Sequence, residues 1–85
     1  MYIHLGGDYV VPEDEIIGIF DLENTTVSKN TRDFLNLSEK NNQVINVSYE
    51  LPKSFVLTSK NNKNKVYISQ ISPTTLYKRL GIDIK

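Results

Sequence analysis

Apolar and polar positions along the chain divide it into short, strongly patterned segments. Residues 2–5 (Tyr2, Ile3, His4, Leu5) are rich in β-formers, and Gly6, Gly7 and Asp8 follow as a turn signal, since glycine takes positive φ without penalty. Tyr9, Val10 and Val11 return as a second strand, so the chain is expected to begin with a hairpin. Pro12 has no N–H to donate, which should stop the strand there and leave Glu13, Asp14 and Glu15 as a polar corner. Residues 16–22 are the most apolar run, and their β-branched content favours a buried strand over a helix. Gly18 within that run predicts a bulge or a close backbone approach.

From Val27 the spacing of Thr31, Phe34, Leu35 and Leu37 turns helical and predicts one amphipathic helix over 27–39. Thr25, Thr26 and Ser28 are its candidate N-caps, and Asn41 and Asn42 end it, because Asn tolerates the left-handed conformation. Residues 43–47 form a weaker strand candidate, and 48–53 a connection. Strands are expected at 54–59 and 66–69, joined as a hairpin by the polar loop 60–65. Ser72 is placed to cap a short helix over 74–80, with Pro73 at its first position and Gly81 just beyond its end. Ile71, Leu76 and Leu80 should face the core. Strands dominate and helices stand at two places, so the fold class is α+β: a small, largely antiparallel sheet of five or six strands, one mid-chain helix and a short C-terminal helix.

With 85 residues the chain is expected to be one small domain, 1–85. So short a chain buries only about 60–65% of the surface that its unfolded form exposes, and without a disulfide or metal such chains often gain stability by oligomerising. The apolar share of 39% and charged share of 24% are those of a soluble globular protein. No apolar run approaches the roughly 18 residues of a membrane span, and no basic stretch followed by an apolar one opens the chain, so a cytoplasmic protein without membrane contact is expected. The absence of cysteine removes disulfides, thiolate catalysis and thiolate zinc sites together.

Charge sums to zero overall but not along the chain. Residues 1–50 hold nine acids against three bases, and residues 51–85 hold seven bases against one acid, a split of −6 and +6. Such asymmetry suits a basic binding surface, or a head-to-tail interface in which an acidic side meets a neighbour's basic side; charged loops alone also produce it.

Catalytic parts are scarce. His4 is the only histidine, flanked by Ile3 and Leu5, and reads as a packed or surface residue. Glu13, Asp14 and Glu15 are consecutive and do not form a convergent ligand set, so they read as a solvated turn. Gly6 and Gly7 lack the strand–helix context of a phosphate loop. The sequence thus argues against an enzyme and calls for neither cofactor nor metal. Among the five tyrosines, Tyr67 near Lys65 and Tyr77 near Lys78 and Arg79 place aromatics beside bases, a mixture that suits nucleic-acid contact, although packing on the sheet explains them more simply.

Three stretches carry a resemblance. The N-terminal run from Met1 to Val11, followed by Ile16-Ile17-Gly18-Ile19-Phe20-Asp21, resembles the start of RemB-type proteins of the RemA/RemB family of bacterial extracellular-matrix (biofilm) regulators. Pro52-Lys53-Ser54 leading into a strand also matches, as does Ser69-x-x-Ser72-Pro73-x-Thr75-Leu76-x-x-Arg79-Leu80. The likeness spans nearly the whole chain and is weakest over 24–50. It implies a cytoplasmic, non-enzymatic transcriptional regulator with a LytTR-like monomer, assembled as a homo-oligomeric ring with double-stranded DNA along its basic side. A closing head-to-tail interface makes a ring, in keeping with the charge split.

The departures matter as much. RemA members carry a DNA-binding arginine just before the apolar strand and a DNA-binding arginine pair shortly before the later strand. The matching stretches here read Asp14-Glu15 and Glu50-Leu51, and acids repel phosphate. DNA binding would therefore fall to Lys53, Lys60, Lys63, Lys65, Lys78 and Arg79, with Arg79 also suited to a structural role at a helix C-terminus. The alternative is a self-assembling protein-interaction module that acts beside a RemA-like protein without touching DNA.

Overall fold

The computed structural model describes residues 1–22 and 29–81. Strands β1 (Tyr2–Gly6) and β2 (Tyr9–Pro12) form the expected hairpin, followed by one 3-10 turn, Glu13–Glu15. Then come β3 (Ile16–Asp21), helix α1 (Lys29–Lys40), β4 (Val44–Asn46), β5 (Ser54–Lys60), β6 (Lys63–Ser69) and helix α2 (Pro73–Arg79). The class is α+β with six strands and two helices, as the sequence indicates. The candidate caps Thr25, Thr26 and Ser28, and Val27, lie outside the described residues.

Two features differ from the expected sheet. The strands divide into a two-stranded sheet, β1-β2, and a four-stranded sheet in the order β3-β5-β6-β4. Within the second, β4 runs parallel to β6 while the other pairs are antiparallel. Strand periodicity reports which positions face inward, not which neighbour a strand chooses, so the parallel edge was beyond reach from the pattern alone. The second difference is the loop 60–65. It shrinks to the two residues Asn61 and Asn62, at φ 52° and 64°, and the strands run to Lys60 and from Lys63. Two successive left-handed residues are what the tightest antiparallel connection needs, and Asn meets that need at small cost.

The register of β5 against β6 sorts their side chains into two faces. Ser54, Val56, Thr58 and Lys60 share one face with Ser69, Tyr67, Lys65 and Lys63. The inner part of that face carries the core: Val56 and Tyr67 pack with Ile19, Val47 and Leu76 against Ile3, Leu5 and Val11 of the N-terminal hairpin. Ile71 and Leu80 are half-buried against that cluster, so all three predicted core residues of the C-terminal segment pack where expected. Two buried serines join the layers. Ser69 Oγ donates to the Leu5 carbonyl at 2.7 Å and accepts from Ile71 N–H at 3.0 Å; Ser54 Oγ donates to the Ile71 carbonyl at 2.8 Å. On the opposite face Phe55 stacks on Phe20, centroids 4.7 Å apart, and meets Phe34 of α1.

Gly18 does mark a bulge, where the β3–β5 register shifts between Ile16 and Gly18. Its missing side chain also leaves room for the Phe20 ring, which a Cβ there would meet at 2.8 Å. Ser72 caps α2 as predicted, accepting from Thr75 N–H at 3.3 Å, with Pro73 at the first position. His4 closes the first turn, its Nε2–H donating to the Gly7 carbonyl at 2.7 Å.

Candidate nucleic-acid interface

The β5–β6 hairpin positions the densest basic group. Because the turn takes only Asn61 and Asn62, Lys60 and Lys63 fall directly opposite each other, and Lys65 falls opposite Thr58. Alternation then puts Lys63, Lys65 and Tyr67 in a row on one face of β6. The face that is core at Val56 and Tyr67 thus continues outward as three lysines beyond the cover of the N-terminal hairpin. Together with Thr58 and Glu15 they line a recess of about 180 Å³.

Glu15 comes from the 3-10 turn and faces Lys60, with Nζ–Oε2 at 3.9 Å. The carboxylate is largely buried, 22% exposed, and the ammonium is open at 70%. At that length and exposure the pair is worth less than about 1 kcal/mol, so Lys60 remains available to another anion. Thr58 Oγ1 donates to the Lys65 carbonyl at 3.3 Å, tying the two strands at the recess.

Tyr67 forms the floor. It is 8% exposed and meets Tyr9 edge-on, centroids 6.2 Å apart. Burial, then the charge of Glu15, then Tyr9 push its phenol above the ordinary value of 10.0. A raised phenol keeps its proton longer in the folded chain than in the unfolded one. Above about pH 10 the unfolded state binds fewer protons, so stability should fall as pH rises from there toward the folded value and be unaffected by this group at lower pH. Denaturant melts at pH 8, 10 and 11 check this: Tyr67→Phe should remove part of the alkaline loss, and an identical loss in the variant would show that Tyr67 does not contribute.

The other three candidates lie elsewhere. Lys53 precedes β5 at the opposite end, roughly 23 Å from Lys60 at about 3.3 Å per strand residue. Its backbone is fixed there, N–H to the Ser69 carbonyl and C=O from Leu22 N–H, both at 2.9 Å. Arg79 is engaged in the fold: its Nη1 donates to the His4 carbonyl at 2.7 Å, binding α2 to β1. Lys78 is exposed in the last turn of α2. The structure therefore brings Lys60, Lys63 and Lys65 together and separates Lys53 from them.

Tyr77 is a packing residue, its hydroxyl donating to the Ile19 carbonyl at 3.1 Å. Glu50 and Leu51 are exposed in the connection before β5, Leu51 by 81%. Sequence reasoning did not place Glu15 or Tyr67 in the recess. The signal for Tyr67 was present: Lys63, Lys65 and Tyr67 alternate, as strand residues on one face do. Glu15 carried no such signal, because its approach depends on how the 3-10 turn meets a distant hairpin. Among the described residues no three His, Asp or Glu side chains gather as a metal would need. No helix among them is long and apolar enough to cross a membrane.

The basic hairpin end thus sits on a small α+β unit of six strands and two helices. Residues 2–80 match the RemA-like family model, "Extracellular matrix regulatory protein A-like", and the chain belongs to that family. It is 39% identical over 79 residues to extracellular matrix regulatory protein B of Bacillus subtilis (strain 168), covering 93% of this chain and 89% of that protein.

Proposed function

We propose that this chain is a cytoplasmic, non-enzymatic, DNA-associated transcriptional regulator of extracellular-matrix (biofilm) genes that acts as a homo-oligomer. The observation that carries the reading is the convergence of Lys60, Lys63 and Lys65 on one exposed hairpin end. Three cations per subunit bind a polyanion weakly, but copies held in one assembly raise the effective concentration and gain factors of about 10²–10⁴. Exposed apolar side chains support self-association: Ile17 of edge strand β3 is 59% exposed, with Val10 and Phe20 also open to solvent.

The test is a duplex-shift titration across salt beside light scattering. An assembly larger than one chain is expected, with log K falling by about 0.9 per neutralised phosphate as log salt rises. A monomer that leaves duplex unshifted in dilute buffer would overturn the reading.

A second reading rests on Glu15, which sits in the basic recess, and on Glu50 and Leu51, exposed where the family resemblance places arginines. Under it the chain self-assembles and contacts a protein partner such as a RemA-like protein. The discriminating variant is Glu15→Arg with Glu50→Arg and Leu51→Arg. Duplex binding by that variant and none by the original chain favours the second reading.

A further inference from the structure

The recess at the hairpin end concentrates positive charge. Lys60 and Lys63 stand directly opposite across the strands, where like charges destabilise. Lys65 lines the same recess, and among the described residues lining it Glu15 is the one carboxylate, which leaves a net charge of +2. Tyr67 adds an independent observation. Its side chain is more than nine-tenths buried and lines the recess, while its hydroxyl, with no hydrogen-bond partner among the described residues, is not among the buried unpaired atoms and so is open to solvent. A phenol hydroxyl open to the recess is free to donate to an anion seated there.

We propose that this recess is a binding site for a small phosphate dianion, inorganic phosphate or the terminal phosphate of a monoester, held by the ammonium groups of Lys60, Lys63 and Lys65 and by the Tyr67 hydroxyl. Size sets the class. About 180 Å³ is below the roughly 300–1,000 Å³ of sites for drug-sized ligands, and equals about six waters at about 30 Å³ each. A phosphoryl group fits, and the remainder of a monoester stays outside. Charge sets the ionisation: +2 complements the roughly −1.5 to −2 of a phosphomonoester, whereas each phosphodiester of DNA carries one negative charge. At neutral pH the Tyr67 phenol is protonated and can donate. Occupancy discharges the three lysines and so lowers affinity for duplex. That consequence rests on the proposed DNA-binding function; phosphate binding itself does not.

The experiment follows backbone amide resonances of the full chain during titration with sodium phosphate at pH 7.5, ionic strength held constant with chloride. Saturable shifts at Thr58, Lys60, Lys63, Lys65 and Tyr67 are expected. Tyr67→Phe should weaken binding by about 3- to 10-fold, the worth of one hydrogen bond, and Lys63→Gln by about tenfold or more. Both variants should keep the parent's dispersed spectrum and melt no lower than the parent. Dimethyl phosphate, a singly charged diester, should bind at least tenfold more weakly, and parity with phosphate would overturn the dianion assignment. Shifts that grow without saturation, or spread equally to Lys53 and Lys78, would overturn the site. In a parallel duplex-shift assay phosphate should weaken DNA binding more than chloride at equal ionic strength. Saturable phosphate binding with no duplex binding in either salt keeps the site and removes the regulator reading. Duplex binding with no saturable phosphate removes the site and keeps that reading. Duplex affinity unchanged at saturating phosphate overturns the competition.

Discussion

Leu76→Ala is expected to lower stability by about 2–5 kcal/mol, the range for truncating a buried leucine. Leu76 is fully buried and packs in the core cluster beneath β1 and β3. Helix α2 has seven residues, too few to hold its own conformation in water, so its place depends on this side chain. Ser72 capping, the Tyr77 bond to Ile19 and the Arg79 bond to His4 position the helix around that anchor but do not replace the lost contact. A domain of this length has a total stability of about 4–13 kcal/mol, so the variant loses a large share of it. At about 4–8 °C per kcal/mol the melting temperature should drop by roughly 10–30 °C. Circular dichroism melts at fixed protein concentration measure it. A drop under 3 °C would show that α2 is held mainly by its polar bonds.

Lys60→Gln, Lys63→Gln and Lys65→Gln combined should produce the largest functional change. If each lysine neutralises one phosphate, the three account for about 2.7 of the slope of log K against log salt. At roughly 0.15 M salt that slope corresponds to about fivefold per lysine, and to roughly 10² for the three. The fold should survive, because removing Lys60 and Lys63 relieves a directly opposed like-charge pair. Lys78→Gln, which alters a basic residue on α2 and spares the hairpin, should change the slope by no more than about 0.9. Fluorescence anisotropy with a labelled duplex across salt reads both. Equal losses in the triple and single variants would mean that the hairpin end is not the main contact.

How far these features were readable from sequence follows from the range of the interactions that create them. The Ser72 cap, the Gly18 bulge and the hairpin at Gly7 are encoded within a few residues, and each stands where the sequence places it. The parallel pairing of β4 with β6 involves Val44 and Val66, and no local pattern identifies that partner. The lysines were legible as a basic set but not as a group. Reading 60–65 as a loop scattered Lys60, Lys63 and Lys65, whereas the two-residue turn at Asn61 and Asn62 aligns them. Arg79 shows the converse. Its place in the shared C-terminal motif was visible, and its commitment to the His4 carbonyl became apparent only with α2 set against β1. The charge split along the chain is partly folded back on itself, since Glu15 of the acidic part meets Lys60 of the basic part.

The bond from Ser69 to Leu5 spans 64 positions of sequence. On the ribosome the first hairpin therefore emerges long before the strand that shelters it. Until β6 and α2 are made, Ile3, Leu5 and Val11 lack Tyr67 and Leu76 from the apolar surface they bury against, and a two-stranded hairpin alone is marginal in water. The central layer cannot close before synthesis of β6 is complete, which makes late, whole-chain folding the expected order and leaves nascent copies open to chaperones in the interval.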